Sequence, residues 1–146
     1  MDKRTEHIGR VFLEVASRIL ENREKPRKYG TGRLLYPSEI KTLFHLGEKP
    51  GLSVTELAEI SGVTKGAVSQ LLNRLDSKGM VIRKEDPSNL SRINIHLTPL
   101  GRKAYRGKKA FEKQSHRALA KHLNEMTASE LEILERFLNA AKFGIS

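Results

Sequence analysis

Residues 53–77, SVTELAEISGVTKGAVSQLLNRLDS, read as a short helix, a tight turn and a second helix. Ser53 followed three residues later by Glu56 is a capping-box start, and Val54, Leu57, Ala58 and Ile60 give the first helix an apolar side. Gly62 ends it, because a residue without a Cβ takes the left-handed conformation that lets a second helix begin within about 3–4 residues. Thr64 is placed to cap that second start. Beyond it, Val68, Leu71, Leu72 and Leu75 share one helix face, while Gly66, Ser69, Gln70, Asn73 and Ser77 share the other. The outer face lacks the alternating Lys and Glu of an ordinary solvated surface; it carries short and amide side chains, with Lys65 and Arg74 towards its edges. Amides pair bidentately with adenine, hydroxyls bond to several base edges, glycine permits close approach and flanking cations hold phosphates, so the face suits a major groove. The competing reading is a polar helix face turned to water.

The chain has 146 residues, enough for one domain with helical extensions, and a formal net charge of +10. Such a balance favours nucleic acid or another anionic surface as partner. The excess follows the helix-turn-helix: residues 83–121 hold eleven Lys/Arg against three Asp/Glu, whereas residues 34–82 hold five of each. There is no cysteine, which excludes disulfides, thiolate metal sites and thiol redox sensing within the chain. Nothing resembles a signal peptide and no apolar run is long enough to cross a bilayer, so no membrane association is expected and the expected location is cytoplasmic.

Outward from the central stretch, residues 5–24 place Ile8, Val11, Phe12, Val15 and Ile19 at helical spacing. Pro26, Gly30 and Gly32 break that helix, and Pro37 suits the first position of another, with Ile40, Leu43, Phe44 and Leu46 inward. After the second helix of the central pair, Gly79 is a stop, residues 80–84 read as a strand, Asp86 to Asn89 as a turn, and residues 92–97 as a second strand. Period-two alternation puts Ile93, Ile95 and Leu97 on the core and sends Arg92, Asn94 and His96 outward, making a basic wing. Thr98 and Pro99 open a helix to about residue 122, with Leu100, Ala104, Phe111, Ala118 and Leu119 inward and Arg102, Lys103, Arg106, Lys108 and Lys109 available to phosphates or simply solvated. Thr127 and Glu130 form a second capping box before Leu131, Leu134, Phe137, Leu138 and Ala141. The outer helices carry more apolar surface than a small winged domain can cover, and a second copy would bury it.

The expected fold is therefore mainly α with a small β wing: an N-terminal dimerisation helix and basic linker (1–33), a winged helix-turn-helix domain (34–98) and C-terminal dimerisation helices (99–146). This order resembles the MarR family of winged-helix transcription regulators, on the strength of PGLSVTELAEISGVTKGAVSQLLNRLDSKGMVIRKEDP (residues 50–87) and IHLTPLG (residues 95–101). The resemblance implies a homodimer whose recognition helices enter successive major grooves of a pseudo-palindromic operator while the wings reach flanking minor grooves, and the expected role is that of a repressor, with an activator as the alternative; dimer symmetry itself requires half-sites about one helical turn apart. The residues assigned to double-stranded DNA are Ser53, Thr64, Lys65, Gly66, Ser69, Gln70, Asn73, Arg74, Arg83, Lys84 and Arg92. One departure stands out. Asn89, Leu90 and Ser91 occupy the wing tip where family members carry an acidic residue and, two positions later, an arginine. Either Arg92 substitutes from a shifted register or the minor-groove contact is weak.

The resemblance also implies release of DNA by a small aromatic or phenolic anion, in a pocket reached by Tyr36, Phe44 or His45; the plainer reading is that these three pack the core. No metal and no cofactor is expected, since none of the five histidines makes an i,i+4 pair. No glycine-rich phosphate loop, cysteine nucleophile or Ser/His/Asp grouping points to an enzyme. The alternatives are a winged-helix protein-interaction module and a non-specific DNA-binding protein.

Overall fold

The computed structural model describes residues 1–144. Along the chain run α1 (Lys3–Glu24), α2 (Pro37–Glu48), α3 (Val54–Ser61), α4 (Lys65–Ser77), β1 (Val81–Asp86), β2 (Asn89–Leu97), α5 (Pro99–Leu123) and α6 (Ala128–Gly144). These six helices and one antiparallel hairpin make a winged helix-turn-helix with flanking helices, the expected class. Two compact units divide the chain, residues 1–108 and the residues from 109 onward.

The core belongs to the first unit. It is built from Leu35, Ile40, Leu43, Leu46, Leu52, Leu57, Val68, Leu72, Leu75, Met80, Val81, Ile95, Leu97 and Ala104, so α2, α3, α4, the root of the hairpin and the start of α5 close on one another. Local chemistry fixes the order. Ser53 Oγ accepts from Glu56 N at 3.2 Å and starts α3; Gly62, at φ 65°, stops it in the left-handed region; Thr64 Oγ1 accepts from Ala67 N at 3.1 Å and starts α4. Thr98 joins the hairpin to α5: its Oγ1 donates to Gly79 O at 2.6 Å and accepts from Gly101 N at 3.0 Å. Gly101 lies so close to the Met80 carbonyl that a Cβ would strike it, which lets α5 begin directly under the wing.

The hairpin pairs Val81 with Leu97, Arg83 with Ile95 and Lys84 with Asn94, and shifts register between Glu85 and Asp86. β2 is longer than the sequence suggested, beginning at Asn89, because Asp86 Oδ1 accepts from Ser88 N at 2.8 Å and narrows the turn. Its free edge is occupied at the root: Gly51 N donates to Ile95 O at 3.1 Å and Ile95 N to Leu52 O at 2.9 Å.

Four inward assignments fail. Ile60 and Ile93 are exposed, the first because α3 is only two turns long and packs through Leu57 and Ala58, the second because it lies beyond the hairpin root. Ala118 and Leu119 are exposed as well. Along α1, Ile8, Val11, Val15 and Ile19 stand at helical spacing with about half their surface open, and no residue of α1 or α6 is buried.

Candidate nucleic-acid interface

α4 presents its two faces as the periodicity requires. Val68, Leu71, Leu72 and Leu75 are buried, while Lys65, Gly66, Ser69, Gln70, Asn73, Arg74 and Ser77 are exposed together. Ser53 and Thr64 spend their oxygen lone pairs capping α3 and α4, but each keeps a hydroxyl hydrogen for a phosphate. Ser77 turns inward on its own helix, donating to Arg74 O at 2.7 Å.

The cations differ in freedom. Arg74 Nε lies 3.8 Å from Oε1 of Glu39, a carboxylate only 1% exposed. Glu39 Oε2 accepts from Tyr36 N at 2.8 Å, completing a capping box on α2, and from Lys78 Nζ at 2.7 Å; Lys78 also donates to Leu34 O at 2.9 Å and sits 5.2 Å above the Tyr36 ring. This clasp joins the start of α2 to the end of α4 and so sets the pitch of the exposed face. Sequence reading missed it, because Glu39 and Lys78 are far apart along the chain; the one local signal was Glu39 at the third helical position after Tyr36.

On the wing, Arg83 and Lys84 face opposite ways, as alternation along a strand demands. Arg83 leans to α4, its Nη2 donating to Asn73 Oδ1 at 2.9 Å and its Nη1 lying 3.8 Å from Asp76 Oδ2. Lys84 is on the far side. Arg92 corrects the expectation of an outward basic finger: it is drawn across the occupied edge of β2 to the start of α3. Its Nη1 pairs with Glu56, its Nε donates to Asn94 Oδ1 at 2.8 Å and lies 3.6 Å from Asp86 Oδ2, and its Nη2 donates to Gly51 O at 3.3 Å. The electrostatics agree. The Arg92 hydrogen bond lowers the Glu56 carboxyl and the same bond raises Arg92, while hydrogen bonds from Ser88 and then Asn94 bring Asp86 from the ordinary 3.8 to about 2.

Tyr36, Phe44 and His45 are not brought together. Tyr36 precedes α2 and the other two lie near its far end, about 12 Å of helix rise away. Phe44 packs 5.7 Å from the Tyr105 ring with Lys108 Nζ 5.9 Å from its centroid. His45 is half-buried, its Nε2 has no hydrogen-bond partner, and burial, followed by the charge of Lys41, lowers its pKa. None of the three lines the cavity of about 500 Å³ that opens between the end of α2, the outer face of the wing and the first turns of α5. That cavity is lined by Lys84, His96, Arg102 and Arg106 against Ile82 and Tyr105; no carboxylate is among its described lining residues, and the Tyr105 hydroxyl donates to Glu48 Oε1 beside it. Among the described residues no three His, Asp or Glu side chains group as metal ligands, and no helix is long and apolar enough to cross a membrane.

Comparison with known proteins places this geometry. The profile of the MarR family matches residues 35–89, the core of the winged unit. The uncharacterized HTH-type transcriptional regulator YcgE of Bacillus subtilis is 30% identical over 107 residues, spanning 73% of this chain and 68% of that protein. Two solved structures share the fold at 22% identity. The Streptococcus pneumoniae protein FabT, in complex with DNA, superposes with a TM-score of 0.69 over 94% of both chains; the zinc-dependent MarR family regulator AdcR, in its Zn(II)-bound state, reaches 0.77 over 100% of both. The chain belongs to the MarR family and is a DNA-binding transcription regulator, not an enzyme.

Proposed function

We propose that this protein is a cytoplasmic repressor that binds a pseudo-palindromic operator as a homodimer, each copy reading one half-site through α4. The observation that carries the reading is the exposed face of α4: Gly66, Ser69, Gln70 and Asn73 in a row, free of the Glu–Lys alternation of a solvated helix, with Lys65 at its start. Support for a homodimer comes from α1 and α6, whose apolar rows lie open in the single chain. DNA contact falls to Ser53, Thr64, Lys65, Gly66, Ser69, Gln70 and Asn73, with Arg83 beside them; Arg92 holds the wing, and Lys84 belongs to the cavity. An effector, a small aromatic anion, fits the cavity under the wing better than the Tyr36, Phe44 and His45 positions, since four basic side chains and an aromatic wall meet there. It acts only through unequal affinity for the DNA-competent and incompetent arrangements.

The test is selection of bound duplexes from a random pool, followed by a salt series on the selected site. An inverted repeat with half-sites about one turn apart, bound with an affinity that falls steeply as salt rises, is the expected result. Salt-sensitive binding with no enriched sequence would replace the proposal with non-specific DNA coating.

A further inference from the structure

The reading face of α4 carries a contact that changes what its amide can recognise. Arg83 stands on β1 opposite Ile95, on the hairpin face that continues from the core, and so reaches α4. There its Nη2 donates to Asn73 Oδ1 over 2.9 Å while its Nη1 rests 3.8 Å from Asp76 Oδ2, one helical turn further on. Asp76 thus steadies one arm of the guanidinium and the other lies on the asparagine carbonyl. An asparagine reads adenine by accepting from the N6 amino group with Oδ1 and donating to N7 with Nδ2. Here one of the two Oδ1 lone pairs is taken by a cation that has five N–H donors and no acceptor, which weakens the carbonyl as an acceptor for an amino group and sets further donors beside Nδ2.

We propose that Arg83 and Asn73 act as one reading unit, richer in donors than in acceptors, that selects guanine. Guanine offers two acceptors, O6 and N7, on its major-groove edge; adenine and cytosine present amino groups there, which meet donors and lose a partner, and thymine offers one acceptor beside a methyl group. Arg83 is thereby a specificity-determining residue and not only a cation for the phosphates, and the adenine pairing suggested by an isolated asparagine is reversed. The inference rests on α4 entering the major groove. Both side chains are exposed, so substitution leaves the core intact.

The experiment takes the full chain and the site selected from the random pool. The base pair whose preference vanishes in Asn73→Ala marks the position that Asn73 reads. There the unaltered protein is expected to bind the guanine duplex about tenfold tighter than the adenine duplex, and Arg83→Ala, which releases Oδ1, to bring the two within about threefold. Adenine preferred by the unaltered protein, or an Arg83→Ala variant that weakens all four base pairs alike, would overturn the unit while leaving α4 as the reading helix. A selected site whose base preferences are all indifferent to Asn73→Ala would overturn the unit, and one indifferent to Ser69→Ala and Gln70→Ala as well would overturn the placement of α4.

Discussion

Glu39→Ala removes the clasp between α2 and α4, and its effect follows from the partners. Loss of the charge-assisted bond from Lys78 costs about 1.5–3 kcal/mol, and loss of the bond to Tyr36 N about 1 kcal/mol. Lys78, about a quarter exposed, recovers part of this by hydration, and Arg74, more than half exposed and 3.8 Å away, contributes little. The net is a destabilisation of about 3 kcal/mol, equivalent to a Tm lower by about 6–12 °C for a chain of this size. Glu39→Gln keeps one acceptor but turns an amide donor towards two cations, for about half the loss. Lys78→Met leaves a buried carboxylate with only a backbone N–H and a distant guanidinium, and is expected to be at least as damaging as Glu39→Gln. Thermal unfolding at one fixed protein concentration reads all three, since association would otherwise shift Tm by mass action. A Glu39→Ala protein that melts within about 2 °C of the parent would refute the reasoning.

Three other expectations can be checked with simple measurements. Gly101→Ala drives a methyl group onto the Met80 carbonyl and is expected to destabilise by about 2 kcal/mol or more in urea unfolding, whereas Gly9→Ala, mid-helix in open space on α1, is expected to be neutral or to stabilise by up to about 1 kcal/mol. Asp86 has its pKa depressed on folding, so its contribution is complete above the ordinary 3.8 and is lost as pH falls to about 2; hydrogen exchange at Ile95 N should quicken over that window, and Asp86→Asn should abolish the change. Ile8→Asp with Val15→Asp on α1 should convert a dimer at micromolar concentration to a monomer by sedimentation, and an unchanged sedimentation coefficient would place the dimer contact elsewhere.

What the sequence made legible was whatever depends on near neighbours. Ser53, Gly62 and Thr64 act within four residues of themselves, and the burial of Val68, Leu71, Leu72 and Leu75 follows from helical period alone, so the helix-turn-helix was readable residue by residue. The side chains that point across the fold were not. Arg92 alternates outward with Asn94 on paper, but Glu56 and the Gly51 carbonyl, supplied by a segment some forty residues earlier, pull it over the edge of β2. Nothing near Lys78 in the chain signals its partner: Glu39 lies 39 residues earlier and comes beneath it only in the fold. Asn73 and Arg83 were each singled out, yet their bond depends on the register that sets Arg83 opposite Ile95. The exposure of Ile60 and Ile93 has a related cause: pattern says which side an apolar residue takes, but not where the covering element ends.

The occupied edge of β2 has a mechanical meaning. A hairpin fastened at its root by Gly51 and Leu52 and bolted to α3 through Arg92 is a stiff prong held at a set span from the recognition helix. A duplex that takes α4 into one groove must present its next surface at that span, and sequences that bend or narrow to do so pay less elastic energy than those that resist. The protein would then discriminate among base pairs it never touches, by gauging how readily the double helix yields.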